Sequence, residues 1–526
     1  MGAMTIRFGR VTPFTVKGSN KISTFADMIF PRLLRRFSTV FPICPCYGID
    51  WSPRQLKEVA SMNDIPDQRA VFQGQPGGPQ DLFFAQSDTV PRPTFIRGEG
   101  VWLYDDAGRG FMDMSSGPVT ANIGHGDKDI AAAMAEQAGR LAFVSARQGR
   151  HQANMDLSKR VAELAGPGFE RVLFASGGSE AVEFAIKLLR QRALANEQPE
   201  RYHVITCMPS YHGSTIGALG LSGDPANQLF LNGFGHDHPK VPAPLSYRLP
   251  DNHTVETHAL ACAQALDEKI QSLGPETVLA FLVEPVGGLA SGAVEPPESY
   301  LRSVREICDR HGVALVFDEV LCGAGRTGRF LASHHYDGIR PDLTVLAKGL
   351  SAGYAPLGAV LAPADMVDRL SERLGFGYTH TYSAHPVSAA AALAVLDRFE
   401  REDLAGRAER VGAYLRQKLE TLAQRSAIIG DVRGKGLLFG IELVADKTTK
   451  ATISCTPGPT DTIRRRGLEQ GLLIYARRTA GSRYGDWIMA TPPLIITEAE
   501  CDELVEKLAT TLAAAEADFR AAGAIA

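Results

Sequence analysis

Arg171-Val-Leu-Phe-Ala-Ser-Gly-Gly-Ser-Glu-Ala-Val-Glu-Phe-Ala-Ile-Lys-Leu-Leu-Arg190 reads as a strand, a glycine turn and a helix. Arg171–Ala175 is a short apolar run of the length a buried strand takes. Beyond it, Val182, Ala185, Ile186 and Leu189 fall on one face of a 3.6-residue helix. Gly177 and Gly178 allow backbone N–H groups to approach a ligand, and Ser179 stands where an N-cap belongs. A helix N-terminus with open amides holds an anion such as a phosphate. A glycine turn that only caps a helix is the plainer alternative.

The same alternation continues outward. His203–Cys207, Val278–Val283, Val313–Phe317 and Leu343–Ala347 each read as a buried parallel strand, and Glu180–Arg190 and Tyr300–His311 as amphipathic helices between them. The fold class expected is α/β, a mostly parallel sheet with helices on both faces. In such sheets, ligands bind beyond the carboxyl ends of the strands. There the sequence places the Ser-Gly-Gly-Ser turn, Tyr211-His-Gly, Glu284, Asp318 and Lys348. A carboxylate such as Asp318, ending an apolar run, needs a partner, and either a cationic ring nitrogen or a loop amide would serve. An amine against low-dielectric walls, as at Lys348, has a lowered pKa and forms Schiff bases; a surface lysine is the plain reading.

With 526 residues the chain exceeds one ordinary domain. Its 44% hydrophobic and 22% charged residues exclude disorder and fibres, and a net charge of −4 disfavours nucleic acid or anionic membrane as partners. No apolar run reaches bilayer-spanning length. The charge is uneven. Within 1–49, Arg7, Arg10, Lys17, Lys21, Arg32, Arg35 and Arg36 face only Asp27, a basic extension whose Arg35-Arg36-Phe37 lacks a proper apolar stretch for export. Eight cysteines are too few for a disulfide scaffold, and the six scattered singly suit a reducing cytoplasm. Cys44-Pro-Cys46, His236-Asp-His238 and His334-His335 lack the further ligands a metal site needs, so no metal is expected. The organisation expected is a basic extension over 1–50, an N-terminal segment over 51–140, a large cofactor-binding domain over 141–386 and a C-terminal small domain over 387–526. Gln73–Pro79 reads as a loop.

Phosphate cup, acidic partner and amine together suit pyridoxal 5'-phosphate. Phe174-Ala-Ser-Gly-Gly-Ser-Glu-Ala-Val-Glu183, Tyr211-His-Gly-Ser-Thr215, Val283-Glu-Pro-Val286, Phe317-Asp-Glu-Val-Leu-Cys-Gly-Ala-Gly-Arg-Thr-Gly328 and Leu346-Ala-Lys-Gly-Leu350 follow in that order. This run closely resembles the signature of class III (ω-type) aminotransferases of pyridoxal-phosphate fold type I. Thr379-His-Thr-Tyr-Ser-Ala-His-Pro386 and Asp431-Val-Arg-Gly-Lys-Gly-Leu437 add to the likeness, which covers about 85–515. The resemblance implies a small α+β domain from the two terminal segments beside the large one. It also implies that Lys348 carries the cofactor and shuttles the substrate proton, while Asp318 keeps the pyridine nitrogen protonated. Val320 and Tyr211 would flank the ring, Gly178 and Ser179 would bind the phosphate, and Glu284 would stand behind them. Thr381 would reach the neighbouring subunit's cofactor, which implies a homodimer with composite sites, or a tetramer built from it. His212 is expected to be structural, Arg326–Arg329 to close a turn, and Trp102 to be strand core.

Family members that use glutamate or 2-oxoglutarate carry Gln-Gly-Glu after the Glu-Pro, an arginine before the late Pro-Pro, and a glutamine after Asp-Glu-Val. Here Leu289, Met489 and Leu321 stand in those places. The resemblance therefore implies transfer of an amino group from a primary amine or ω-amino compound to a small 2-oxo acid, with pyruvate favoured. Arg477, Arg478, Arg483 and Arg433 are candidates to receive the acid's carboxylate. A decarboxylase, racemase or phospho-lyase on the same fold, or a non-catalytic binding protein, are the alternatives.

Overall fold

The computed structural model describes residues 92–526 apart from 226–229, 374, 376 and 378. The chain divides into two units, Met1–Asp88 and Thr89–Ala526, and the described residues all fall in the second. The basic extension, Cys44-Pro-Cys46 and the Gln73–Pro79 loop lie outside them.

Strands β1 (Phe95–Glu99), β2 (Trp102–Asp105) and β3 (Gly110–Asp113) form an antiparallel meander. Helices α1 (Lys128–Arg140) and α2 (Gln152–Ala165) follow, α1 capped by the Asp127 carboxylate on the amides of Asp129 and Ile130.

The central sheet is built from β4 (Arg171–Ala175), β5 (His203–Met208), β6 (Lys240–Pro242), β7 (Val278–Val283), β8 (Ala314–Asp318), β9 (Leu343–Leu346) and β10 (Gly358–Ala362). The order is β4-β10-β9-β8-β7-β5-β6. Only β10 runs against its neighbours. Two of these strands differ from the reading by alternation. β6 is three residues long, and β10 returns from the Lys348 loop without a helix to announce it.

Helices α3 (Gly178–Ala195), α4 (Ile216–Leu221), α5 (Val255–Leu273), α6 (Glu298–His311) and α7 (Ala364–Arg373) complete this half. The wholly apolar β7 shows why its sequence lacks alternation, since both faces are covered. Ala280 and Leu282 share a core with Val182, Ala185 and Leu189 of α3. Phe281 and Val283 share another with Leu266 of α5 and Leu301 and Val304 of α6.

The C-terminal part begins with α8 (Pro386–Arg401) and α9 (Leu404–Arg425), followed by β11 (Ile429–Lys435) and β12 (Leu438–Leu443). Next come α10 (Pro459–Glu469), β13 (Leu472–Leu473), β14 (Tyr475–Thr479), β15 (Gly485–Ala490) and α11 (Glu498–Ala521). An antiparallel sheet of order β11-β12-β15-β14 results. β13 pairs in parallel with β3, Leu472 opposite Met112, so the two terminal segments share a sheet. No described helix is long and apolar enough to cross a membrane.

Candidate active site

Five loops at the carboxyl edge of the central sheet, after β4, β5, β7, β8 and β9, line a cavity of about 390 Å³. Seven of the expected site residues line it: Gly178, Ser179, Tyr211, Glu284, Asp318, Val320 and Lys348. Thr381 is exposed in a turn before α8 and does not line its own chain's cavity.

The phosphate cup is simpler than the sequence reading. Gly177, not Ser179, is the N-cap of α3, and no side chain caps the helix. Ser179 lies within the first turn, where its Oγ accepts the Ser214 N–H at 3.0 Å. The α3 terminus is thus left without the side-chain oxygen that usually satisfies its amides. Gly178 is required there, since a Cβ would lie 2.9 Å from Val320 Cγ1.

Asp318 is the last residue of β8 rather than the first after it. Its Oδ1 accepts the Val320 N–H at 3.0 Å, and its Oδ2 accepts from His212 Nδ1 at 2.8 Å. Both side chains are buried. His212 therefore acts on the site through Asp318, which sequence reasoning missed. The signal was Tyr211-His212-Gly213 itself, whose position beyond β5 says nothing about which strand it reaches across to. His212 Nε2 is buried with no protein partner.

Glu284 accepts the Gly288 N–H at 2.9 Å. Burial raises its carboxyl to about 7, with the nearby Asp318 adding and His212 opposing. Lys348 opens a short turn after β9 with φ +44°, a strained conformation for a residue with a Cβ. Burial lowers its amine's pKa, and Asp318 and Glu284 oppose the shift. A depressed amine is the more nucleophilic one at neutral pH.

One wall of the cavity is apolar. Leu289 and Leu321 line it, with Met489 and Trp487 fully buried behind them in one cluster. None of the candidate arginines lines the cavity. Arg477 pairs with Asp224 at 3.0 Å, Arg478 donates to Ser482 Oγ at 2.6 Å, and Arg433 pairs with Glu442 at 2.8 Å. Arg483 lies over the Tyr484 ring. Arg326 does more than close a turn. It is fully buried and donates to Asn122 Oδ1, Leu437 O and Pro492 O, tying the two terminal segments to the central part. His334 and His335 bind the carbonyls of Ala165 and Thr327. Trp102 is half-buried in β2. Among the described residues no cluster of His, Cys, Asp and Glu could hold a metal ion.

An uncapped helix terminus with no Cβ in the way, a carboxylate fixed by two hydrogen bonds and a depressed amine suit a phosphorylated, aldehyde-bearing heterocycle with a basic ring nitrogen. The donor set matches pyridoxal phosphate part by part.

Comparison with known proteins agrees. Residues 83–512 match the model of the family described as Aminotransferase class-III, and the chain belongs to that family. It is 36% identical over 430 residues to an uncharacterized aminotransferase of Bacillus subtilis, covering 81% of this chain and 96% of the relative. A diaminobutyrate–2-oxoglutarate transaminase of Halomonas elongata is 34% identical (81% and 90% covered). A putrescine–pyruvate aminotransferase of Pseudomonas aeruginosa is 31% identical (78% and 88%). Among solved structures, an amine transaminase from an uncultivated Pseudomonas species in its PLP-bound form is 36% identical, with a TM-score of 0.75 over 80% of this chain and 95% of that one. The protein is a pyridoxal-phosphate-dependent class III aminotransferase of fold type I.

Proposed function

We propose that the enzyme moves an amino group from a primary amine or ω-amino compound to a small 2-oxo acid, with pyruvate favoured, in two half-reactions at one site. The observation that carries this is the apolar wall of Leu289 and Leu321, backed by buried Met489, with no arginine lining the cavity. A distal carboxylate, which 2-oxoglutarate has and pyruvate lacks, finds no fixed bidentate partner there. Relatives named for each acceptor exist, and the wall is what favours pyruvate.

When bound, pyridoxal phosphate supplies a carbonyl that exchanges for the amine and a ring that accepts the electron pair left at the substrate carbon. In this reading Lys348 holds the cofactor through Nζ between turnovers. Free Lys348 Nζ, its pKa depressed by burial, would be the group that takes up and gives back the substrate's proton. Asp318, anchored by Val320 N–H and His212, would keep the ring nitrogen protonated. Val320 and Tyr211 would flank the ring, Gly178 and Ser179 would receive the phosphate, and Glu284 holds the following loop through Gly288. Thr381 completes the phosphate site of a second copy, so the working unit is a homodimer or a tetramer of such dimers. The free thiols of all six described cysteines support a cytoplasmic setting. Residues 141–386 are read as the cofactor-binding domain, with 51–140 and 387–526 forming the small one.

The test is the visible spectrum of the holoenzyme, with an amine donor added and then pyruvate or 2-oxoglutarate. Bleaching by the amine and recovery with pyruvate alone is expected. Recovery with 2-oxoglutarate alone overturns the acceptor, and no bleaching with any amine overturns the donor.

A further inference from the structure

The loop after Glu284 is a compact turn. Gly287 N–H donates to Val294 O at 2.7 Å, and Gly292 N–H to Gly288 O at 3.0 Å. From within, Glu284 holds it through Gly288 N–H. From without, the holder is Trp487 of β15, whose indole Nε1–H donates to the Leu289 carbonyl at 3.0 Å. That carbonyl lies in an apolar cluster with Val286, Ala293, Leu321, Trp487 and Met489, where water cannot replace a lost donor. The turn also sits flush on the indole. Gly292 has φ +68°, and a Cβ there would come 2.8 Å from the ring.

Trp487 is itself fixed. It is fully buried, and the Arg433 guanidinium lies over its ring at 5.6 Å. Arg433 reaches Ser291 O at 3.4 Å and the buried Glu442 at 2.8 Å, and Glu442 also takes Arg248 at 3.1 Å. The C-terminal sheet thus grips the backbone from which Leu289 enters the cavity.

We infer that Trp487 is a positioning residue that sets the depth of the substrate pocket through Leu289. This rests on the amine-donor reading above. Without the indole N–H, the Leu289 carbonyl turns toward the cavity and its side chain leaves the wall. An amine with a long apolar substituent reaches that wall, and a short one does not.

The probes are tert-butylamine and tert-octylamine, which have no hydrogen on the amine-bearing carbon and so bind without turnover. Their dissociation constants are read from the absorbance of the holoenzyme. In Trp487→Phe, which keeps the ring and removes the donor, the tert-octylamine to tert-butylamine ratio should change about ten-fold, the scale of one lost buried hydrogen bond. The tert-butylamine constant itself should stay within about two-fold. Leu289→Ala, at the cavity edge, should change the same ratio, and adding Trp487→Phe to it should change nothing further. Equal weakening of both amines, or a lower Tm with an unchanged ratio, overturns the role of Trp487. So does a further change in the Leu289→Ala background. If Trp487→Phe does not fold, Trp487→Tyr, which also lacks the indole N–H, is read by the same ratio, and an unchanged ratio in Leu289→Ala overturns the proposal by itself. A wild-type holoenzyme that binds neither amine overturns this inference, while the donor reading stands or falls on the bleaching experiment above.

Discussion

Among single residues, Lys348 and His212 make the sharpest claims. Lys348→Ala should remove the proton carrier and lower kcat by more than about a thousand-fold, in the range that positioned acid–base groups supply. A folded variant with near wild-type turnover would reassign the lysine. His212 owes its part to the 2.8 Å bond it donates to Asp318. His212→Phe leaves that buried carboxylate one donor short and should weaken cofactor binding about ten-fold, while His212→Asn, which still carries an N–H, should recover part of it. Equilibrium dialysis of the cofactor measures both. Glu284 gives a pH prediction. Its carboxyl is raised from 4.5 to about 7, so between those values the folded protein holds a proton that the unfolded chain has released. Its contribution is full below about 4.5 and is lost as pH rises through about 7. Melts of the cofactor-free protein from pH 5 to 8 should show Tm falling in the wild type, with Glu284→Gln flatter by roughly a few degrees. Equal slopes would place the proton elsewhere. The family motifs displayed Lys348 and Asp318 in the sequence, but His212 was legible only as a residue beside Tyr211. Its partner lies 106 positions away, across the edge of the sheet.

Elements explain what the residues can reach. The strand at Arg171–Ala175 and the helix after it were legible because an apolar run and a 3.6-residue period are local properties. β10 was not, because it is an apolar run of five residues returning antiparallel from the Lys348 loop, with no α-helix between it and β9. Its pairing with both β4 and β9 brings the Ser176–Ser179 turn beside the Lys348 loop. The uncapped α3 terminus gives a prediction at this scale. Gly178→Ala puts a methyl 2.9 Å from Val320 Cγ1, between the phosphate cup and the residue flanking the ring. Cofactor affinity should fall about ten-fold with little loss of Tm, since the steric cost falls on the cradle and not on the core. A large Tm loss with unchanged affinity would make Gly178 a packing glycine.

For the molecule as a whole, the prediction concerns two copies. Thr381 stands outside its own cavity, so hybrids of Lys348→Ala and Thr381→Val chains should each regain one intact site, roughly a quarter of all sites in a random mixture. Gel filtration with cofactor titration of the mixed sample reads this out, and no regained sites would put Thr381 to other use. At this scale, too, sequence and structure divide. The sequence alone determined the cofactor chemistry, the class and the apolar exchange at Leu289, Leu321 and Met489, because each is carried by residue types in short, ordered motifs. Only the tertiary structure decided that Gly177 is the cap of α3, that His212 holds Asp318, and that Arg326 ties Asn122 to Leu437 and Pro492. It alone also placed Trp487 on the Leu289 carbonyl, 198 positions away. A buried donor takes whichever acceptor packing brings within about 3 Å, and separation along the chain does not enter that choice.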